Sequence, residues 1–201
     1  MAIQGLQALL RRRTLLAAIA GLAAGGAADA APSSGKDVTA ERLGGLLDLR
    51  DDTGRLRRLP EFRGKAVLLF FGYTRCPDVC PTTLLRAAQA MRVLHAGDAA
   101  RTQVLWATVD PQRDTADVVG RYVSAFDPGF IGLRGTIPET DAVTAAFKFR
   151  YAITTWRDEV MVSHSPDGYL VDARGRTRVR IAYDASPEQI AEDVHRILAG
   201  G

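Results

Sequence analysis

A chain of 201 residues holds one domain with a real core and leaves no room for two of ordinary size. Its apolar and charged fractions, 47% and 24%, are those of a globular protein and exclude disordered or collagen-like chains. Of the formal charge of +3, residues 1–30 carry +2 (Arg11, Arg12 and Arg13 against Asp29), so the remainder is near +1 and makes no electrostatic case for nucleic acid.

The first 30 residues read as an export signal. Arg11-Arg12-Arg13 precede an uncharged run from Thr14 to Ala28, and Ala28-Asp29-Ala30 has the small-x-small form of a cleavage site. Fifteen uncharged residues fall short of the roughly 20 that a spanning helix needs, which favours a cleaved signal over an uncleaved membrane anchor. Arg12-Arg13-Thr14-Leu15-Leu16 also resembles a twin-arginine signal, with a general secretory signal as the plainer reading. Either route places the domain on the periplasmic side of a bacterial inner membrane, touching the membrane only if the leader stays attached.

Residues 31–43 read as a linker, and 44–201 as the folded domain. Leu46–Leu49 and Leu56–Leu59 flank a Gly54-containing turn and predict an N-terminal β-hairpin. Ala66–Phe71 is a continuous apolar run, suited to a central strand covered on both faces. Leu84, Ala88, Met91 and Leu94 then recur at helical spacing, with Gly97 as a stop. Gln103–Val109 predicts a second buried strand ending at Asp110-Pro111. Asp114 or Thr115 caps a helix through Val119, Tyr122 and Phe126, and Pro138 opens another to about Phe147. A second hairpin is expected from Tyr169–Val171 and Thr177–Ile181, then a final helix from Ser186-Pro187 through Ile197. Strands alternating with helices predict an α/β domain, a mixed central sheet with flanking helices.

The chemistry centres on Cys76 and Cys80, the only cysteines, at the junction of the first buried strand and the long helix. A structural disulfide between them would close a ring of about five residues and stabilise by only about 2 kcal/mol, so a staple is a poor explanation. A redox pair and a soft-metal grip both remain. Pro81 is expected at the start of the helix, which sets Cys80 at the N-terminus where the dipole favours a thiolate. Two sulfurs suit Cu(I), and also zinc, but leave the coordination incomplete. Among three histidines, His95 and His195 fall near predicted helix ends, where a cation offsets the dipole. His164, between Ser163 and Ser165 and away from any predicted helix end, is the leading third ligand. Met161 reads as strand packing and Asp78 as a turn former or cap. Tyr73 and Phe71 read as core and site wall, and Asp110 with Arg113 as an ion pair fixing the neighbouring loop.

Tyr73-Thr74-Arg75-Cys76-Pro77-Asp78-Val79-Cys80-Pro81, then Asp110-Pro111-Gln112-Arg113-Asp114-Thr115, then His164-Ser165 before Tyr169-Leu170, together resemble the signatures of the Sco/SenC family in the same order. The resemblance spans about residues 46–198. It implies a thioredoxin-like fold with Cys76, Cys80 and His164 as copper ligands. It further implies a copper chaperone for the Cu-A centre of cytochrome c oxidase, partnered by the oxidase's copper-bearing subunit, an upstream periplasmic copper donor and a thiol reductant. Family members are commonly membrane-tethered, whereas this leader looks cleavable. The rival reading is a thiol–disulfide oxidoreductase acting on cysteines of an oxidase subunit or another exported protein through Cys76 and Cys80. The C-x-x-x-C spacing departs from the usual C-x-x-C redox signature. A peroxide-reducing protein and a copper or redox sensor are more distant alternatives.

Overall fold

The computed structural model describes residues 32–157 and 159–200. The leader of residues 1–30 lies outside them. Ten strands and five helices follow in the order β1 (Gly35–Asp37), β2 (Leu49–Asp51), β3 (Leu56–Arg57), β4 (Ala66–Gly72), α1 (Val79–Val93), α2 (Ala96–Ala100), β5 (Thr102–Thr108), α3 (Ala116–Ser124), β6 (Ile131–Arg134), α4 (Ile137–Ala146), β7 (Tyr151–Trp156), β8 (Glu159–His164), β9 (Gly168–Val171), β10 (Thr177–Ile181) and α5 (Pro187–Ala199).

Eight strands form one mixed sheet in the order β1-β10-β9-β4-β5-β6-β2-β3, as expected for fold class. The strands β4, β5 and β6 run parallel, and β9 lies antiparallel to β4. The unbroken apolar run of β4 has a simple cause: all seven of its residues are buried because both faces are covered. Its alternation divides two cores. Ala66, Leu68 and Phe70 point to one layer with Leu84 and Ala88 of α1, Val119 of α3 and Ile190 and Val194 of α5. Val67, Leu69 and Phe71 point to the other with Val143 of α4, Phe147, Phe149 and the N-terminal residues Val38, Leu43 and Leu47.

Three helix starts carry side-chain caps. Thr115 accepts from the Val118 N–H, while Thr136 with Glu139 and Ser186 with Gln189 form capping boxes with a proline in the first turn. Two turns share one device. Asp51 accepts N–H bonds from Thr53 and Arg55, and Asp172 accepts them from Arg174 and Arg176, closing the β2–β3 and β9–β10 connections around Gly54 and Gly175.

Several expectations need correction. The stretch 31–43 is no free linker over its described length: β1 pairs antiparallel with β10, and the Ser34 N–H and hydroxyl both bond Asp193. Val38 and Leu43 between them are buried in the core. Its Ser-Gly-Lys composition resembles a linker because an edge strand needs only one paired side. The N-terminal hairpin exists, but it is short and lies at the far edge of the sheet. Gly97 stops nothing. The helix α1 ends four residues earlier, and Gly97 lies inside the short α2. The strand β6 and the separate β7–β8 hairpin went unread, and the second of these carries a site residue.

Candidate metal centre

Strand directions bring three segments to one end of the sheet. Gly72 closes β4 opposite Thr108 of β5, so the loops after both strands emerge together. The antiparallel β9 begins there too, with Gly168 opposite Phe70, and the β7–β8 hairpin leads into it. Cys76 comes from the first loop and Cys80 from the first turn of α1 that follows it, Asp110–Asp114 from the second loop and His164 from the end of β8.

The helix α1 begins at Val79, two residues before the expected start, so Pro81 stands in the first turn, where its missing N–H costs nothing. This changes the character of the two thiols. The Cys80 N–H points at Cys76 Sγ, 3.4 Å away. Burial alone would raise the Cys76 pKa, but the backbone N–H groups of Cys80, Asp78 and Val79 outweigh it and hold the pKa below the ordinary value. Cys80 is 3% exposed, and burial pushes its thiol strongly upward. The helix N-terminus therefore activates Cys76, the half-buried member, and not Cys80 as the sequence suggested.

His164 is held from three sides. Its Nδ1 lies 2.7 Å from the Ser165 carbonyl, which only accepts, so the proton sits on Nδ1 and Nε2 keeps its lone pair. Nε2 is 3.4 Å from Cys80 Sγ. Phe149 stacks on the ring at 5.7 Å between centroids, and Tyr73 meets it edge-on at 6.0 Å. One donor atom from each of Cys76, Cys80 and His164 falls within 4.8 Å of the others, the sole such trio of Cys, His, Asp or Glu among the described residues. Two sulfurs and a neutral imidazole nitrogen form a donor set that fits a soft ion. The site opens into a cleft of about 350 Å³ lined by Tyr73, Cys76, Asp78, Val162 and His164.

Gly72 makes room for it. A Cβ there would stand 2.6 Å from Cys80 Sγ and 3.2 Å from the Trp106 indole nitrogen. The expected Asp110–Arg113 ion pair is present, and Arg113 also donates to the Val160 carbonyl at 3.3 Å, tying the second loop to the hairpin of His164. Of the two cap candidates, Asp114 and Thr115, Thr115 takes that role. Asp114 is fully buried and accepts the Thr74 N–H at 3.0 Å and the hydroxyls of Thr74 and Thr108 at 2.5 Å each. Phe149 was missed as well, since nothing local in sequence marks it as the stacking partner of His164.

Met161 is a different correction. It lies on β8 but is 56% exposed, so it is not a buried strand residue, and three residues from His164 it projects from the opposite face. Asp78 occupies the N-cap position of α1 without a capping side-chain bond and is exposed at the cleft rim. His95 does not end α1. It precedes α2 as N-cap, and its ring lies 6.1 Å from that of His195.

Residues 35–199 match the model of the SCO1/SenC family. The chain belongs to the SCO1/SenC family. A SCO2-like protein of Rickettsia felis is 36% identical over 154 residues, which cover 75% of each chain. Among solved structures, copper-bound ScoI of Bradyrhizobium japonicum superposes with a TM-score of 0.70 at 33% identity, covering 77% of this chain and 99% of that one. Copper-bound yeast Sco1 gives 0.71 at 25% identity, covering 79% and 90%. These SCO1/SenC neighbours share the thioredoxin-like fold, which the mixed sheet and flanking helices here reproduce.

Proposed function

We propose that this SCO1/SenC protein is an exported copper chaperone that holds one copper ion through Cys76 Sγ, Cys80 Sγ and His164 Nε2. It delivers that ion to the Cu-A centre of cytochrome c oxidase, on the periplasmic side of the inner membrane. The observation that carries the reading is the convergence of those three donors within 4.8 Å, with the His164 Nδ1–H donated to the Ser165 carbonyl. The copper-bound relatives support the choice of metal.

The thiolates suit Cu(I), and the imidazole adds tolerance for Cu(II). Burial gives the ligands different roles. Cys76 and His164 border the open cleft, where an acceptor's ligands can approach, while Cys80 lies beneath them. Ligand exchange then begins at Cys76 or His164 and ends at Cys80. Two-electron oxidation of the thiols to a disulfide removes both sulfur donors, so a thiol reductant is a required partner, and loading of the reduced site calls for an upstream copper donor. Cu(I) titration of the reduced protein against a competing chelator tests the site. About one equivalent should bind, and His164→Ala should weaken it by roughly 10-fold or more, the scale seen even for groups that only orient a ligand. Unchanged affinity in that variant removes His164 from the site.

A second reading rests on the unequal thiols: an activated, accessible Cys76 beside a buried Cys80 suits thiol–disulfide exchange. Such a reductase has no use for His164. Intact thiol exchange with lost copper delivery in His164→Ala favours the chaperone.

A further inference from the structure

A second histidine cluster lies at the far end of α1. That helix ends at Val93, and the chain turns at once into α2, with His95 as N-cap and Asp98 inside it. The helix α5 packs against both helices and brings His195 alongside. His95 and His195 face each other with ring centroids 6.1 Å apart and planes at 72°. His195 Nδ1 is 2.7 Å from the Asp98 carboxylate. With Glu188 and Glu192 they line a concavity of about 200 Å³. The glutamates stand seven and three residues before His195, on the same helical face. Glu192 also meets Arg196 at 3.4 Å.

The sequence explains each histidine separately as a helix-end cation. That accounts for the His195–Asp98 hydrogen bond but not for a second imidazole brought against it. An imidazole whose Nδ1–H is held by a carboxylate, leaving the Nε2 lone pair outward, is the arrangement that orients a metal-binding histidine. With metal–nitrogen bonds of about 2.0–2.1 Å, two imidazoles on one ion place their ring centres roughly 5–6 Å apart. The observed separation lies just outside that range, and the donors are not gathered as those of Cys76, Cys80 and His164 are, so the exposed His95 must rotate inward to complete the site.

We propose that His95 and His195, with Asp98 as orienting carboxylate, form a second metal site for one divalent transition ion such as Zn²⁺ or Cu²⁺, with Glu192 or water completing the coordination. Two imidazoles with nearby carboxylates are borderline donors and suit divalent ions, in contrast to the soft thiol site. The two sites are independent in space as well. The 15 residues of α1 separate them by about 22 Å at 1.5 Å per residue. The new site needs no thiol, so it holds its ion in oxidised and reduced protein alike.

The test is Zn²⁺ titration of the full chain carrying Cys76→Ser and Cys80→Ser, followed by calorimetry and by the imidazole ¹⁵N resonances. One saturable equivalent should bind and shift the rings of His95 and His195, and His95→Asn or His195→Asn should each weaken it by about 10-fold or more. In the chain with both cysteines intact, the same two rings should shift as a second equivalent enters, which keeps the test open if the serine variant folds poorly. Absence of saturable binding in both forms overturns the proposal. So does binding that survives either asparagine variant.

Discussion

Replacing Asp114 isolates what holds the cysteine loop, because this side chain touches neither the thiols nor His164 in any bond and yet anchors both neighbouring loops. Its carboxylate accepts three bonds: the Thr74 N–H, the Thr74 hydroxyl and the Thr108 hydroxyl. Thr108 passes the support on by accepting the Asp110 N–H at 3.0 Å. Asp114→Ala leaves three donors unmet at a fully buried position. Bonds to a charged acceptor are worth about 1.5–3 kcal/mol each, and water reaches the half-buried Thr74 to offset part of the loss, which gives about 3–5 kcal/mol in all. Asp114→Asn behaves differently. Its amide oxygen can accept the Thr74 N–H and the Thr108 hydroxyl, while its amide nitrogen donates to a turned Thr74 hydroxyl, for a cost of about 1 kcal/mol. Thermal unfolding of the reduced protein reads this directly: at roughly 2–4 °C per kcal/mol for a domain of this size, alanine lowers Tm by about 6–20 °C and asparagine by a few degrees. Cu(I) affinity should fall in the alanine variant because Thr74 stands two residues before Cys76. Equal loss in the two variants, or wild-type stability in Asp114→Ala, refutes the anchoring role.

Two further perturbations act on the thiols themselves. Gly72→Ala drives a methyl group to 2.6 Å from Cys80 Sγ with Trp106 behind it, so Cys80 must move; stability falls by about 1–3 kcal/mol and Cu(I) binding weakens, and unchanged affinity would show that the thiol's position is not critical. Alkylation by iodoacetamide should be confined to Cys76: its lowered pKa exposes thiolate at pH values below the ordinary 9.0, the rate rising as pH climbs through that lowered value, while Cys80 stays protonated and buried until denaturant is added. Mass spectrometry locates the label, and early modification of Cys80 would contradict the assigned asymmetry.

How far sequence reaches here depends on whether a feature is local. The strands β4 and β5, the helix starts at Thr115 and Ser186 and the Cys76–Cys80 turn are each written in a few adjacent residues, and all are legible. The β7–β8 hairpin is not, although Tyr151, Ile153, Thr154 and Thr155 on one strand and Val160 and Val162 on the other carry ample β-propensity. Its turn lacks glycine at the one described position of positive φ, where Arg157 sits at 48°, so the usual signal is missing. The linker reading of 31–43 fails for a related reason: its partners in β10 lie about 145 residues away in sequence and Asp193 about 160.

The same distinction governs the site. His164 could be singled out because a thiol pair is chemically incomplete and demands a partner, a requirement that needs no knowledge of distance. Which cysteine is activated depends on where α1 begins. A start at Val79 makes Cys80 a buried first-turn residue whose N–H serves Cys76, reversing the assignment that a start at Pro81 implies. Asp114, Phe149 and Arg113 make no such demand. They are ordinary residues whose roles come from being brought beside Thr74, His164 and the Val160 carbonyl by the parallel β4–β5 pair and the return of β9. Candidate ligands are therefore readable from chemistry, whereas the residues that hold them in place become readable only once the topology is known.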